Sequence, residues 1–152
     1  MQSEIRRARR GDLGQIERLL RDADLTTLGV ADQLRGFLVA EDGRVIVGCA
    51  ELETYGPSAL LRSVVVRPDY RNRRIGGRLV ENLLDRAQSD AVDTVYLLTT
   101  TASGYFAQMG FREVPRDQID PAVQASQEFS AECCATARAM RLLIDTEGGR
   151  RR

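Results

Sequence analysis

The sequence contains no histidine, no tryptophan and no lysine, because all 22 of its basic residues are arginine. Without histidine, neither a Ser-His-Asp triad nor a Cys-His pair can be assembled, and histidine-containing zinc sites are excluded. Without lysine, the chain has no Schiff-base nucleophile and no Walker lysine for a nucleotide phosphate. Its chemistry therefore has to come from carboxylates, hydroxyls, thiols, arginine and the backbone.

Net charge and long apolar segments are also lacking. The 22 basic side chains are balanced by 22 acidic ones, so no overall field favours nucleic acid or an anionic membrane. No apolar run approaches the roughly 18 residues that span a bilayer, and the segment from Met1 to Glu4 has no apolar signal character. We therefore predict a cytoplasmic protein that binds neither nucleic acid nor a membrane.

Cysteine is scarce, and its spacing does not suit a disulfide framework. Cys49 stands alone, whereas Cys133 is followed directly by Cys134. This pattern favours a reducing compartment in which the thiols are small buried hydrophobes, and we predict no metal cofactor. A soft metal or metalloid held by the three thiols is the alternative that the sequence leaves open.

The length of 152 residues, with 43% apolar and 29% charged residues, is typical of one globular domain. We assign residues 1–146 to this domain and expect the basic tail, 147–152, to be frayed because it has no apolar side chain. The last predicted strand, 136–144, is a candidate sheet edge through which a homodimer forms.

Hydrophobic periodicity predicts an α+β order of elements. Strands are predicted at 4–8, 37–40, 45–53, 59–66, 95–98, 111–114 and 136–144, and helices at 13–22, 75–87, 102–109 and 121–129. We expect Asp12 and Gln15 to form a capping box, and Asp120 to cap the last helix. Residues 25–33 form either a short helix or a mobile loop. The strand, helix and buried strand from 59 to 98 make a βαβ crossover within a mixed sheet.

A basic, glycine-containing loop joins the strand 59–66 to the next helix. Because the helix begins at this loop, its first N–H groups and the positive end of its dipole face an anion placed there. Gly76 and Gly77 allow close backbone approach, and charge is supplied by Arg71, Arg73, Arg74 and Arg78. The stretch predicts a phosphate or diphosphate site, with a solvated basic loop as the alternative.

This stretch resembles motif A of the GNAT superfamily of acetyl-CoA-dependent N-acetyltransferases, a V-x-V strand followed by R/Q-x-x-G-x-G/A. Here the strand is Val64-Val65-Val66 and the loop is Arg71-Asn72-Arg73-Arg74-Ile75-Gly76, with Arg74 in place of the family's first glycine. The element order and Gly110-Phe111 also match. The resemblance implies a GNAT-like three-layer fold, with a mixed, largely antiparallel sheet flanked by helices.

The same resemblance implies how acetyl-CoA is held. The amides of Val64 and Val66 would bind the pantetheine arm, those from Asn72 to Gly77 would bind the diphosphate, and Phe106 would lie at the cofactor. Splaying of the strand at Val66 would open the cleft. Within the superfamily, the sequence is most similar to the arsenic-resistance N-acetyltransferases. The residues that carry this likeness are Leu52-Glu53, Tyr55-Gly56, Leu60 to Val64, Leu97 to Ala102, Glu128-Phe129, Cys133, Thr136, Ala137 and Met140. These enzymes are associated with acetylation of small amino-acid-like compounds, including organoarsenical and phosphinic analogues of glutamate.

Two carboxylates are candidates for the acceptor side of the site. Glu51 and Glu53 lie two residues apart and so share one face of their strand, and antiparallel pairing brings Glu51 close to Arg62. The resemblance implies that Glu53 is the general base, that Arg62 and Ser63 bind an acceptor carboxylate, and that Glu51 and Thr99 also belong to the acceptor site. An exposed strand face with a cross-strand ion pair is the alternative.

The general acid departs from the family pattern. Many GNAT enzymes use a tyrosine four residues before the glycine of the Gly-Phe pair, and that position is Phe106 here. Tyr105 stands one residue earlier, about 100° around the helix. Either Tyr105 protonates the leaving thiolate, or water and the hydroxyls of Thr99 to Thr101 serve, or the thiolate leaves unassisted. Packing of Tyr105 in the core is the structural alternative.

Two other functions stay open at this point. One is a protein N-terminal or side-chain acetyltransferase of the same fold, which would need an open groove at 25–33. The other is a non-catalytic binder of CoA, or of a trivalent arsenical through the three cysteines.

Overall fold

A computed structural model describes residues 3–126, 137–145 and 150–151. Its regular elements follow the predicted order. The strands of this part of the chain are β1 (Glu4–Arg7), β2 (Phe37–Asp42), β3 (Val45–Tyr55), β4 (Ser58–Val66), β5 (Thr94–Thr99), β6 (Arg112–Val114), β7 (Arg138–Asp145) and β8 (Arg150–Arg151). Its α-helices are α1 (Leu13–Asp22), α2 (Ile75–Ser89), α3 (Ser103–Gln108) and α4 (Pro121–Gln124).

Residues 25–33, which the sequence predicts as a short helix or a loop, contain the start of a 3-10 helix, Ala31–Gly36. Two other local predictions change at the ends of helices. The Asp12–Gln15 capping box is wrong, because the carboxylate of Asp12 makes no cap bond to α1 and instead accepts from the guanidinium of Arg6 at 2.8 and 3.1 Å and from the N–H of Arg9 at 2.7 Å. A guanidinium gives the carboxylate two charge-assisted bonds in a bidentate pair, whereas a cap gives it one bond from an uncharged N–H. Helix α4 is shorter than the predicted 121–129, although Asp120 caps it as expected by accepting from the N–H of Ala122 at 3.0 Å.

Contacts divide the described chain into two compact units, and the first holds the residues up to Leu52 together with Arg62–Asp85. Strand β2 lies between β1 and β3 and is antiparallel to both, with a bulge between Ala40 and Glu41. Helix α1 packs its apolar side chains into a core shared with these strands and with the end of β4, formed by Ile16, Leu19, Leu20, Val30, Phe37, Val39, Ile46, Cys49 and Val65.

The second unit holds Glu53–Leu61 and the residues from Arg86 onward. The start of β4 is parallel to β5, from Ser58↔Thr94 to Leu61↔Leu97, whereas β7 is antiparallel to both β5 and β6. This combination gives the mixed sheet and the α+β class that the sequence predicts. Its core cluster contains Leu60, Tyr96, Val114, Ile119, Val123 and Ala139.

Strand β7 is not the sheet edge that the sequence predicts. Its partner on one side is β5 and on the other is β6, with Arg112↔Arg141 to Val114↔Ala139 as the second ladder. In the tail, where no structure is expected, Arg150–Arg151 pair with the end of β7. Among the described helices, none is long and apolar enough to cross a membrane.

Candidate active site

The loop between β4 and α2, residues 67–74, presents backbone N–H groups at the start of α2, a helix of 15 residues, and is called the phosphate loop below. Asn72 and Arg74 have φ angles of 68° and 60°, so the chain turns twice through the left-handed region. The first hydrogen bond of α2 joins the N–H of Arg78 to the carbonyl of Arg74 at 3.0 Å. The amides of Ile75 to Gly77 therefore precede the helical ladder, at the positive end of the helix dipole. This geometry suits a diphosphate.

The position at which α2 begins is fixed by close packing on β3. A Cβ atom on Gly48 would lie 3.1 Å from the carbonyl oxygen of Val65 and 3.4 Å from Cγ2 of Ile75. Glycine at this point allows the buried Ile75 to rest against the strand. The side chains of Arg71, Asn72, Arg73 and Arg74 are exposed, as expected for residues that line the entrance of an anion site.

A cavity of about 550 Å³ opens beside this loop within the first unit. Its floor is apolar and comes from α1, β3 and β4, through Leu19, Ala23, Ile46, Val65 and Val66. Its rim is charged, with Arg18, Arg67, Arg71, Asp22 and Asp69. The volume falls in the range of small-molecule sites, and an apolar floor beside a phosphate loop fits a ligand with both an alkyl-amide arm and phosphates. The residues present therefore fit CoA.

Strand β4 leaves regular geometry at Ser63, where φ is 59°. The ladder to β5 ends two residues earlier, at Leu61↔Leu97. The separation of β4 from β5 thus begins before Val66, the residue at which the sequence predicts that the two strands splay. The thiol of Cys49 donates to the carbonyl oxygen of Ser63 at 3.3 Å, which holds the altered backbone.

The predicted contact between Glu51 and Arg62 is present in the first unit. Nε of Arg62 lies 3.4 Å from Oε1 of Glu51, and each side chain is 1% exposed. An Nη2 group of Arg62 also donates to the carbonyl oxygen of Leu28 at 2.9 Å. The pair is therefore buried rather than spread on an exposed strand face, and it ties the segment that follows α1 to β4.

Cys49 lies on β3 and is fully buried in the core cluster that the apolar side chains of α1 also enter. Burial raises the pKa of its thiol, and the nearby charge of Glu51 acts in the same direction. The thiol therefore stays neutral and fits the packing role that the sequence predicts. Cys133 and Cys134 lie outside the described residues. Within the ranges that the structure describes, no group of three His, Cys, Asp or Glu side chains could hold a metal ion.

Glu53 is buried in the second unit, with 3% of the residue exposed. Two hydroxyl groups converge on its Oε1 atom, that of Ser126 at 2.6 Å and that of Tyr55 at 2.9 Å. They fix the orientation of the carboxylate. Ser126 is missed by sequence reasoning, because it lies 73 residues from Glu53 and belongs to no motif.

The remaining predicted residues of the second unit lie at the end of β5, just before α3, or within α3 itself. Oγ1 of Thr99 accepts from the N–H of Ala102 at 3.0 Å, just before the helix. Phe106 is buried and packs edge-to-face on Phe111 and Tyr105, with ring centroids 5.8 and 5.1 Å away. Tyr105 is 44% exposed, and its partial burial raises the pKa of its hydroxyl. Helix α3 thus places Phe106 in the core and Tyr105 toward the surface.

Arg74 occupies a backbone conformation that favours glycine. A left-handed φ costs a side-chain-bearing residue about 1–2 kcal/mol, of which the larger unfolded-state entropy of glycine cancels about 0.4–1 kcal/mol. We therefore expect Arg74→Gly to be more stable to unfolding than Arg74→Ala by about 1 kcal/mol. Both variants lack the guanidinium, so urea unfolding of the pair isolates the backbone effect. Equal midpoints would contradict it.

Comparison with known sequences gives one family. Residues 33–113, which include Glu51, Glu53, Arg62 and the phosphate loop, match the Acetyltransferase (GNAT) domain. An amino-acid acetyltransferase of Vibrio atlanticus is 27% identical over 125 residues, which cover 76% of this chain and 28% of the relative. An uncharacterized N-acetyltransferase of Chlorobaculum tepidum is 32% identical over 89 residues, 58% of this chain and 57% of its own.

Solved structures with the same fold agree with the family match. N-acetylglutamate synthase from Neisseria gonorrhoeae, complexed with coenzyme A and N-acetyl-glutamate, superposes with a TM-score of 0.80 at 20% identity, over 98% of this chain and 35% of that one. A Mycobacterium tuberculosis protein in complex with CoA gives 0.77 at 21% identity, over 93% and 99%. The chain thus spans about a third or less of these amino-acid acetyltransferases. Placement in the arsenic-resistance group stays a prediction.

Proposed function

The chain belongs to the GNAT acetyltransferase family, and from that membership we propose that it transfers the acetyl group of acetyl-CoA to the α-amino group of a small acidic amino acid. The observation that carries the proposal is the phosphate loop, with left-handed Asn72 and Arg74 before the amide groups at the start of α2. The acceptor class is supported by the amino-acid acetyltransferase relatives and by N-acetyl-glutamate in the structure of the Neisseria enzyme.

Three sets of groups would hold acetyl-CoA. The amides from Asn72 to Gly77 would bind the diphosphate, and the backbone of Val64-Val65-Val66 would bind the pantetheine arm. Arg71 would add charge at the rim of the cavity. When bound, acetyl-CoA supplies an activated acyl carbon and a thiolate leaving group. Protein groups then have to move two protons.

The transfer forms a C–N bond and breaks a C–S bond, so one proton must leave the amine and one must reach the sulfur. We assign the first step to Glu53, whose carboxylate is oriented by the hydroxyls of Ser126 and Tyr55. We assign the second to Tyr105. Because the pKa of Tyr105 is raised, its hydroxyl stays protonated and able to donate across the neutral range.

Arg62 and Ser63 are assigned to the carboxylate of the acceptor, with Glu51 holding the guanidinium in place at 3.4 Å. Thr99 completes the proposed acceptor side. Organoarsenical and phosphinic analogues of glutamate carry a primary amine and an anionic group on a similar skeleton. The same groups would therefore accept them, and detoxification of such compounds is the finer form of the proposal.

The proposal is tested by calorimetric titration with acetyl-CoA, followed by a thiol-release assay with a panel of acceptors. The panel contains glutamate, aspartate, glutamine, the phosphinic and arsenic analogues, and a short peptide with a free N-terminus. We expect binding of acetyl-CoA and fastest turnover with glutamate or its analogues. Turnover of the peptide alone would assign a protein acetyltransferase, and binding without turnover would assign a non-catalytic binder. No affinity for acetyl-CoA would overturn the assignment.

Tyr105→Phe is expected to lower kcat about 100-fold, because the variant keeps the ring but loses the donated proton. The KM for acetyl-CoA should not change. A raised pKa means that the acid form persists to higher pH than in free tyrosine, so wild-type kcat should fall only in strongly alkaline solution and the variant should lack that fall. A pH profile of kcat measures both effects. An unchanged kcat would remove Tyr105 from the mechanism.

A further inference from the structure

Tyr70 connects the phosphate loop to the β2–β3 hairpin. It ends the 3-10 turn Pro68–Tyr70, which lies in the first half of this loop. Its hydroxyl donates to Oδ2 of Asp42, the last residue of β2, at 2.5 Å. A hydroxyl that donates to a carboxylate forms a charge-assisted bond, which is stronger than a neutral one. The bond raises the pKa of Tyr70, so the phenol keeps its proton and the tether stays intact at neutral pH.

The ring of Tyr70 supports a guanidinium of the loop. The guanidinium carbon of Arg73 lies 4.7 Å from the ring centroid, well within the range of a cation–π contact. Arg67 lies farther from the same ring, at 5.7 Å, and its guanidinium is engaged in a bidentate pair with Asp69 at 3.2 and 3.1 Å. Among the residues that the structure describes, Arg73 makes no ion pair.

An arginine that is already stacked on a ring loses less side-chain entropy on binding a phosphate than a mobile arginine does. Arg73 is exposed and stands one residue before Arg74, whose carbonyl accepts the first hydrogen bond of α2. The stack restricts its rotamers before the ligand arrives, so that less side-chain entropy is lost when its planar fork meets phosphate oxygens. The tether to Asp42 in turn fixes the ring. Asp42, Tyr70 and Arg73 thus form a chain of contacts from the sheet to the loop.

We propose that Tyr70 is a positioning residue, held by Asp42, that fixes Arg73 to receive a phosphate group of CoA. This inference rests on the proposed function and deepens it by naming how one cationic contact is prepared for the ligand. Tyr70 does not itself touch the cofactor, so its removal should change the affinity for CoA without changing the chemical step.

The test is a double-mutant cycle with CoA as the titrant. Tyr70→Phe removes the hydroxyl and keeps the ring, and Asp42→Asn removes the charge of the acceptor. We expect each variant to raise the Kd for CoA about 5-fold and the double variant to raise it no further, since both break one bond. Arg73→Ala should raise the Kd about 10-fold. Asp90→Asn, an exposed carboxylate after α2, is the control with the same charge change and should leave the Kd unaltered.

A second probe separates positioning from a general structural role. S-acetylpantetheine carries the thioester but no phosphate, so its KM should be the same for wild type and Tyr70→Phe. The KM of the amine acceptor and kcat with acetyl-CoA should also be unchanged in Tyr70→Phe. Additive losses in the cycle, or equal losses with S-acetylpantetheine, would overturn the proposal. If wild-type protein binds CoA and all variants bind it equally, the positioning proposal alone is overturned. If wild-type protein has no affinity for CoA, the proposed function is overturned as well.

Discussion

Replacement of Glu53 with glutamine is expected to lower kcat about 1,000-fold, within the range typical of a lost general base. Glutamine keeps the volume of the side chain, and its carbonyl oxygen accepts the hydrogen bonds that Ser126 and Tyr55 donate to Oε1 of Glu53. The fold and the position of the side chain are therefore preserved, while the ability to take a proton from the amine is lost. Thiol release at saturating acetyl-CoA and acceptor measures the effect.

Two further measurements identify the loss as one of proton transfer. The KM for acetyl-CoA should remain within about two-fold of wild type, because an interaction made only in the transition state does not alter ground-state binding. Glu53→Asp retains a carboxylate base on a side chain that is shorter by one methylene, so its kcat should lie between those of Glu53→Gln and wild type. A Glu53→Gln enzyme with kcat near that of wild type would exclude Glu53 as the base and direct attention to Glu51.

The loop between β4 and α2 and the position at which α2 begins are predictable from sequence because they depend on local chemistry. A strand, a basic loop with Gly76 and Gly77, and an amphipathic helix are each encoded within about 20 consecutive residues, and backbone amides at a helix start need no distant partner. Helix α2 accordingly begins at the expected Ile75. The βαβ crossover follows from the same local periodicities, because a buried parallel strand has to return through a helix.

The buried polar contacts are not predictable in the same way, because their partners are remote in the chain. Ser126 reaches Glu53 across 73 residues, and Leu28 meets Arg62 across 34. Asp12 illustrates the competition directly, since its carboxylate does not cap α1 but pairs with Arg6 on the preceding strand and accepts from the N–H of Arg9. The pairing of β6 beside β7 is likewise a tertiary outcome that hydrophobic alternation alone does not specify.

Arg62→Ala is expected to destabilise the fold by about 3–5 kcal/mol, because it removes the cation opposite a fully buried carboxylate. Glu51 would then keep its desolvation cost and lose the guanidinium contact at 3.4 Å, and the carbonyl of Leu28 would lose the donor that lies at 2.9 Å. Urea unfolding should show a lower midpoint. A change below about 1 kcal/mol, the size typical of an exposed ion pair, would mean that the pair is solvated in solution.

The double variant Glu51→Leu/Arg62→Met separates this stability effect from acceptor binding. Replacing both members of a buried ion pair with apolar residues of similar volume is often neutral or stabilising, so the double variant should unfold near the wild-type midpoint. If Arg62 receives the acceptor carboxylate, the KM of the amino acid should nevertheless rise at least about 10-fold, since a charge-assisted bond is lost, while the KM for acetyl-CoA stays constant. Equal increases in both KM values in a stable double variant would show that Arg62 acts on the fold alone, because a lost acceptor contact has no means of weakening the binding of the thioester.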